Sequence, residues 1–204
     1  NLMNVYQLKI EYLGLRFSGW QIQKKNKTVQ GILQKILSKT LKEKVTIYGS
    51  GRTDAGVNAI EQSAHFVTKK KISKKKFLNT ANYFLNKYEI SLLNILKKTS
   101  RFHARYSAKK RIYKYIIINR ASPLKLDLNR AWHVKKKLNL FLMRKGAKLL
   151  QGTHDFSTYR SSKCGSKSPI KTLEKVNIKK NGEKVIITFI SKSFLQQQVR
   201  SMVG

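Results

Sequence analysis

The chain has 204 residues, 41% of them apolar, and sets 44 lysines and arginines against nine carboxylates, a formal charge of +35. That length and apolar content exclude a disordered chain and suffice to bury a real core, in one domain or in two intimately packed halves. No apolar run reaches the roughly 20 residues that cross a bilayer, the amino end NLMNVYQLKI lacks the layout of a secretory signal, and one cysteine, Cys164, excludes an internal disulfide or thiolate metal cluster. A soluble cytoplasmic protein with no membrane partner is expected.

In chain order, VYQLKIEYLG alternates as a strand does, and Thr28 then caps a helix whose apolar positions Val29, Ile32, Leu33, Ile36, Leu37 and Leu41 keep helical spacing. KVTIYG reads as a strand entering a glycine-rich loop and SAHFVT as a strand leaving it. Phe77, Leu78, Ala81, Phe84 and Leu85 mark a second helix, after which SLLNILKKT and YSAKKRIYKYIII have strong β composition. A helix over roughly 138–150, strands around KTLEKVNI and EKVIITFI joined by an Asn181-Gly182 turn, and a final helix from about Phe194 complete the chain. Strands and helices mix without the regular alternation of parallel βαβ units, so the expected class is α+β with a largely antiparallel sheet. No Pro/Gly-rich linker divides the chain.

The charge calls for a polyanionic partner, but 34 of the cations are lysine and ten are arginine, a bias that AT-rich codons alone produce. Runs such as Lys69–Lys71, Lys74–Lys76 and Lys135–Lys137 are accordingly read as solvated faces. The four histidines, His65, His103, His133 and His154, show no metal-ligand spacing. The unusual neighbourhood is YGSGRTDAGVNA, where one of only three aspartates, Asp54, follows an arginine between glycines. An aspartate in such a loop commonly just bonds its own turn, and the lysine and hydroxyl of a phosphate-cradling loop are missing.

The longer string is more specific. GSGRTDAGVNA resembles the catalytic loop of the TruA family of tRNA pseudouridine synthases, G-R-T-D-A-G-V-H-A, departing from it at Asn58, where the family has histidine. YLGLRFSGWQIQ is similar to that family's first strand and turn, RFHARYSAKKRIYKYII to its second segment F-H-A-R-F-S-A with R-x-Y-x-Y, THDFSTYR and SPIKTL to a later loop and strand, and SFLQQQVRSMVG to the helix that bears a functional arginine. The resemblance implies a pseudouridine synthase fold of two similar halves sharing a largely antiparallel central sheet over a basic cleft. The halves are expected at 1–105, with the aspartate loop, and at 106–204, with the tyrosine strand and arginine helix. It further implies a homodimer acting on the anticodon stem-loop of tRNA at positions 38, 39 and 40, and a further helix and closing strand beyond residue 204.

By the same resemblance Asp54 is the essential catalytic residue, Arg200 pairs with it across the cleft, and Tyr113 stacks on the uracil. The chemistry agrees: isomerising uridine breaks the bond from ribose C1′ to N1, turns the base and rejoins it through C5, which asks for a carboxylate but for neither redox cofactor nor metal. Burial would raise the pKa of that carboxylate, and an arginine fork beside it would keep it charged as lysine could not. Without the motif, Arg200 would read as a surface helix arginine and Tyr113 and Tyr115, which share one strand face, as cross-strand packing. Arg52 is expected to contact RNA and fill the space left by an extruded nucleotide. Arg101, His103 and Arg105, interleaved with Phe102 and Tyr106, fit backbone contacts to an RNA stem, although His103 also fits a satisfied core histidine. Two other readings compete: a synthase of another family acting on a different RNA, and a non-catalytic basic RNA-binding protein, which has no need of Arg-Thr-Asp in a glycine loop. A metal-dependent nucleotide hydrolase would want its carboxylates clustered.

Overall fold

The computed structural model describes residues 3–162 and 164–204. By its internal contacts the chain separates into two compact units, one ending at Ala108 and the other starting at Lys109. The described residues contain no helix long and apolar enough to cross a membrane.

The first unit runs β1 (Asn4–Tyr12), α1 (Val29–Leu41), β2 (Tyr48–Gly49), β3 (Ala59–Thr68), α2 (Lys74–Leu85) and β4 (Ile90–Lys98), with strand order β2-β3-β1-β4. Every pairing is antiparallel. Alternation on β1 sends Tyr6, Leu8, Ile10 and Tyr12 to one face, where they meet Val29, Leu33, Ile36 and Leu37 of α1 and Phe77, Ala81 and Leu85 of α2. Thr28 caps α1 as expected, its hydroxyl accepting from the Gly31 amide at 3.3 Å. Asn82 of α2 clips β4 from both sides, donating to Leu92 O at 3.0 Å and accepting from Leu92 N at 2.7 Å. Lys74, Lys75 and Lys76 are exposed at the start of α2.

The expected strand KVTIYG shrinks to Tyr48–Gly49. Val45 and Ile47 are buried, but the Ile47 backbone is taken by side chains of α1: Gln34 Oε1 accepts from its amide at 3.0 Å and the Gln30 amide donates to its carbonyl at 2.7 Å. With both groups satisfied from the helix, the segment has no call on a ladder partner.

The second unit runs β5 (Arg111–Asn119), β6 (Trp132–Val134), α3 (Leu140–Leu150), β7 (Gly152–Asp155), β8 (Ile170–Asn181), β9 (Lys184–Ser191) and α4 (Gln198–Val203), in the order β6-β5-β9-β8-β7. Only β5 and β6 run parallel. Strands β8, β9 and β5 follow the plan of β2, β3 and β1, with α3 in the place of α1, so the halves are alike in topology. Among the described residues the strands pair into two sheets, of four and five strands, one in each unit, and both are largely antiparallel as the expected α+β class requires.

Three further expectations shift. The β8–β9 hairpin turns through Gly182-Glu183, one residue later than Asn181-Gly182, because Asn181 still pairs with Lys184 and Gly182, at φ +57°, supplies the positive φ of a two-residue turn. The last helix begins at Gln198, not near Phe194, since the buried Gln198 side chain accepts from Leu195 N at 2.8 Å and Gln197 stands in the left-handed region at φ +63°. Residues 99–107 form a chain of turns, so the expected strand YSAKKRIYKYIII begins only at Arg111, and Arg101, His103 and Arg105 lie on a loop edge.

Candidate active site

The loop between β2 and β3 is tied to the unit along its length. At its entry, Ser50 N donates to Ser63 O at 2.8 Å and the Gln62 amide donates to Gly51 O at 2.8 Å. In the middle, the buried Trp20 donates its backbone N–H to Thr53 O at 3.0 Å, and the buried Tyr12 hydroxyl meets Thr53 Oγ1 at 2.8 Å. At its exit, Asn58 Oδ1 accepts from Gly14 N at 2.8 Å. Asn58, which stands where the resembling loops carry histidine, thus holds the loop to β1's end. A β-turn starts at Asp54 itself, whose carbonyl accepts from Val57 N at 3.2 Å, and Gly56, its third residue, takes the positive φ of +79° that a type II turn requires. Gly14 has to be glycine for another reason: a Cβ there would lie 2.1 Å from Val57 O.

Asp54 is therefore fixed by backbone on both sides while its carboxylate stands half-buried at the head of the turn. Within its unit, no hydrogen bond or ion pair to that carboxylate is found among the described residues. The loop offers one positioned carboxylate with open acceptor capacity, the opposite of an aspartate consumed by its own turn. Arg52 is exposed two residues earlier.

In the second unit, Tyr113 of β5 sits opposite Phe189 of β9, half-buried, its ring meeting the edge of Phe194 at 5.0 Å and 85°. Phe194 leads into α4, whose Val199, Met202 and Val203 pack on the unit's core while Arg200 faces solvent. Ser161 and Cys164 are stitched to the same segment, with Ser161 N donating to Gln196 O at 3.0 Å and Gln196 N to Cys164 Sγ at 3.5 Å. Tyr113 and the stem of α4 are thus parts of one packed wall, while the Arg200 guanidinium has no hydrogen bond or ion pair within its unit among the described residues. Tyr115 meets Trp132 edge-on at 6.3 Å and serves packing.

A constellation not foreseen in the sequence joins β2, β3 and the 99–107 turns. His65 of β3 is 4% exposed, accepts from Ala104 N at Nδ1 at 3.1 Å, stacks on Tyr48 at 5.1 Å and lies 4.6 Å from the His103 ring. It is His65 that is the satisfied core histidine; His103 is half-buried and packs against Tyr48 and Tyr106 at 5.8 and 4.4 Å. Only the register that sets Tyr48 opposite His65, and the return of the chain after β4, bring these rings together. Burial first, and the neighbouring His103 second, push the His65 imidazole down to about 4.

A pH dependence follows. Because the folded pKa lies below the usual 6.5, the contribution of His65 to stability is complete above that value, falls as pH drops toward 4, and levels off below it. Urea midpoints at pH 7.5 and 4.5 are expected to show a drop of about 1–3 kcal/mol that His65→Gln lacks. The same drop in both proteins would assign it to other groups.

Comparison with known proteins bears on this geometry. The family described as tRNA pseudouridine synthase matches residues 9–107 and 147–204, spans that include the Asp54 loop, His65, the 99–107 turns and Arg200. This chain belongs to the tRNA pseudouridine synthase family. It is 59% identical to the tRNA pseudouridine synthase A of Pelagibacter ubique (strain HTCC1062) over 200 residues, 98% of this chain and 81% of that protein. The proteins of the same name from Neorickettsia sennetsu (strain ATCC VR-367 / Miyayama) and Ehrlichia canis (strain Jake) are 46% and 45% identical, each over 98% of this chain and 82% of their own length. Tyr113 falls between the two stretches that the pseudouridine synthase family matches.

Proposed function

We propose that this chain isomerises uridine to pseudouridine in tRNA, with Asp54 as the reacting carboxylate. The observation that carries the reading is the Asp54 loop itself: a half-buried carboxylate with no partner among the described residues of its own unit, held by backbone on either side, inside the sequence that the family shares. Catalysis by a prepositioned group draws on orientation paid for in folding, and this loop is built for that. The reaction cleaves C1′–N1, rotates the base and joins C1′ to C5, and the proton that C5 gives up to water is matched by one taken up at N1, so the atoms balance with no further reactant.

In this reading Arg200 supplies the guanidinium that pairs with Asp54, and Tyr113, braced by Phe194, offers its ring to the uracil. Arg52 occupies the place of the extruded nucleotide, and Arg101, His103 and Arg105 contact the RNA. The target is the anticodon stem-loop at tRNA positions 38, 39 and 40, the working form is a homodimer, and the compartment is the cytoplasm, where tRNA is matured. The names of the relatives support the tRNA substrate, and the +35 charge supports tight binding of a phosphate backbone.

The direct test is release of tritium from tRNA carrying C5-labelled uridine. Stoichiometric release, lost when the anticodon-arm uridines are replaced by cytidine, is the expected result. Binding without release would leave a non-catalytic RNA-binding protein, and release from another arm would move the target.

A further inference from the structure

The ring cluster of the first unit holds one member that the fold does not need. Tyr48 is 46% exposed and Tyr106 77% exposed, yet both are packed in series with His103. An apolar core explains His65 and Phe102, but a tyrosine so open adds little buried area to the fold. The turn that presents Tyr106 is nonetheless rigid: Ser107 N donates to His103 O at 2.8 Å, Ser107 Oγ accepts from His103 N at 3.1 Å, and His103 Nδ1 accepts from Arg105 N at 3.2 Å.

Along the segment that carries Phe102, His103 and Tyr106 the charge is of one sign. No carboxylate occurs between Glu89 and Asp127. The Arg105 guanidinium lies over the Tyr106 ring at 6.0 Å, and the Lys98 ammonium over Phe102 at 5.4 Å. Open aromatic faces bordered by cations match a ligand that presents a flat π system and a phosphate together. Duplex RNA offers phosphates without a free base face, and an acidic peptide offers charge without a ring.

We propose that Tyr106, with His103 and Tyr48 behind it, is a stacking platform for an unpaired nucleobase of the RNA substrate, distinct from the uridine presented to Asp54, with Arg105 meeting its phosphate. This rests on the reading of the chain as a tRNA-modifying enzyme. It changes the part of His103 from a contact to the RNA backbone into the rigid support of a stacked base.

The probe is an unmodified full-length tRNA transcript, titrated across a salt series against the full chain and its Tyr106→Phe, Tyr106→Leu and Tyr106→Ala variants. Stacking predicts that phenylalanine binds as wild type, while leucine and alanine weaken binding about 5- to 100-fold with the salt slope unchanged. Arg105→Ala, by contrast, makes the slope of log affinity against log salt shallower by about one contact, at roughly 0.7–0.9. Alanine binding within about twofold of wild type, or leucine matching phenylalanine, would overturn the platform. So would a Tyr106→Ala change in sedimentation without RNA, which would place a second copy of the chain on these rings. Tritium release by the wild type in the same preparation separates the two claims: release with unaffected Tyr106→Ala binding sinks the platform alone, and no release sinks the enzymatic reading.

Discussion

Replacing Asp54 by asparagine is expected to bring pseudouridine formation below about a hundredth of the wild-type rate while tRNA affinity stays within about threefold. The substitution keeps the shape and removes the charge, and nothing in the loop depends on that charge: the ties at Gly51, Thr53 and Asn58, and the turn from Asp54 O to Val57 N, are made by backbone atoms or by other side chains. Thermal stability should therefore be unchanged, which separates lost chemistry from lost folding. Retention of a tenth of the activity would show that another group does the work.

Arg200→Lys carries the second large effect. Lysine keeps the positive charge but not the planar fork that the proposed pairing with Asp54 asks for, and single-turnover rates should fall by about 100-fold with substrate binding little changed. Arg200 faces solvent on α4 and the helix is anchored by Val199, Met202 and Val203, so the fold should tolerate the change. A wild-type single-turnover rate would leave Arg200 as a surface residue.

What could be foreseen from the sequence was whatever is written locally. Periodicity and the Thr28 cap placed α1, alternation placed β1, strand-forming composition placed β3, β4 and β9, and the string around Asp54 announced its loop. Two of the misreadings share one physical cause, competition for backbone groups from side chains. Gln30 and Gln34 withdraw the Ile47 segment from the sheet, and Gln198 delays α4. β6 and β7, three and four residues long, are defined by partners rather than by composition. The His65 cluster was hidden for the same reason, since its rings come from positions 48, 65 and 102–106 and meet only through β-sheet register and a returning loop. Asn58 read as a departure from a pattern, and its tie to Gly14 became visible only when the end of β1 was seen beside it.

The ties along the Asp54 loop also decide which molecule has to yield. Bound at Ser50, Gly51, Thr53 and Asn58, with Val57 O pressed against the bare backbone of Gly14, the loop has no slack with which to follow a base into a helix. The travel then falls to the nucleotide, which must leave its stack at a cost of a few kcal/mol that is smallest where neighbouring pairs are already loose. A rigid protein of this kind sorts uridines by the compliance of the RNA around them as much as by the letters beside them, and the margin of a stem, where a pair opens easily into a loop, is where such sorting is most permissive.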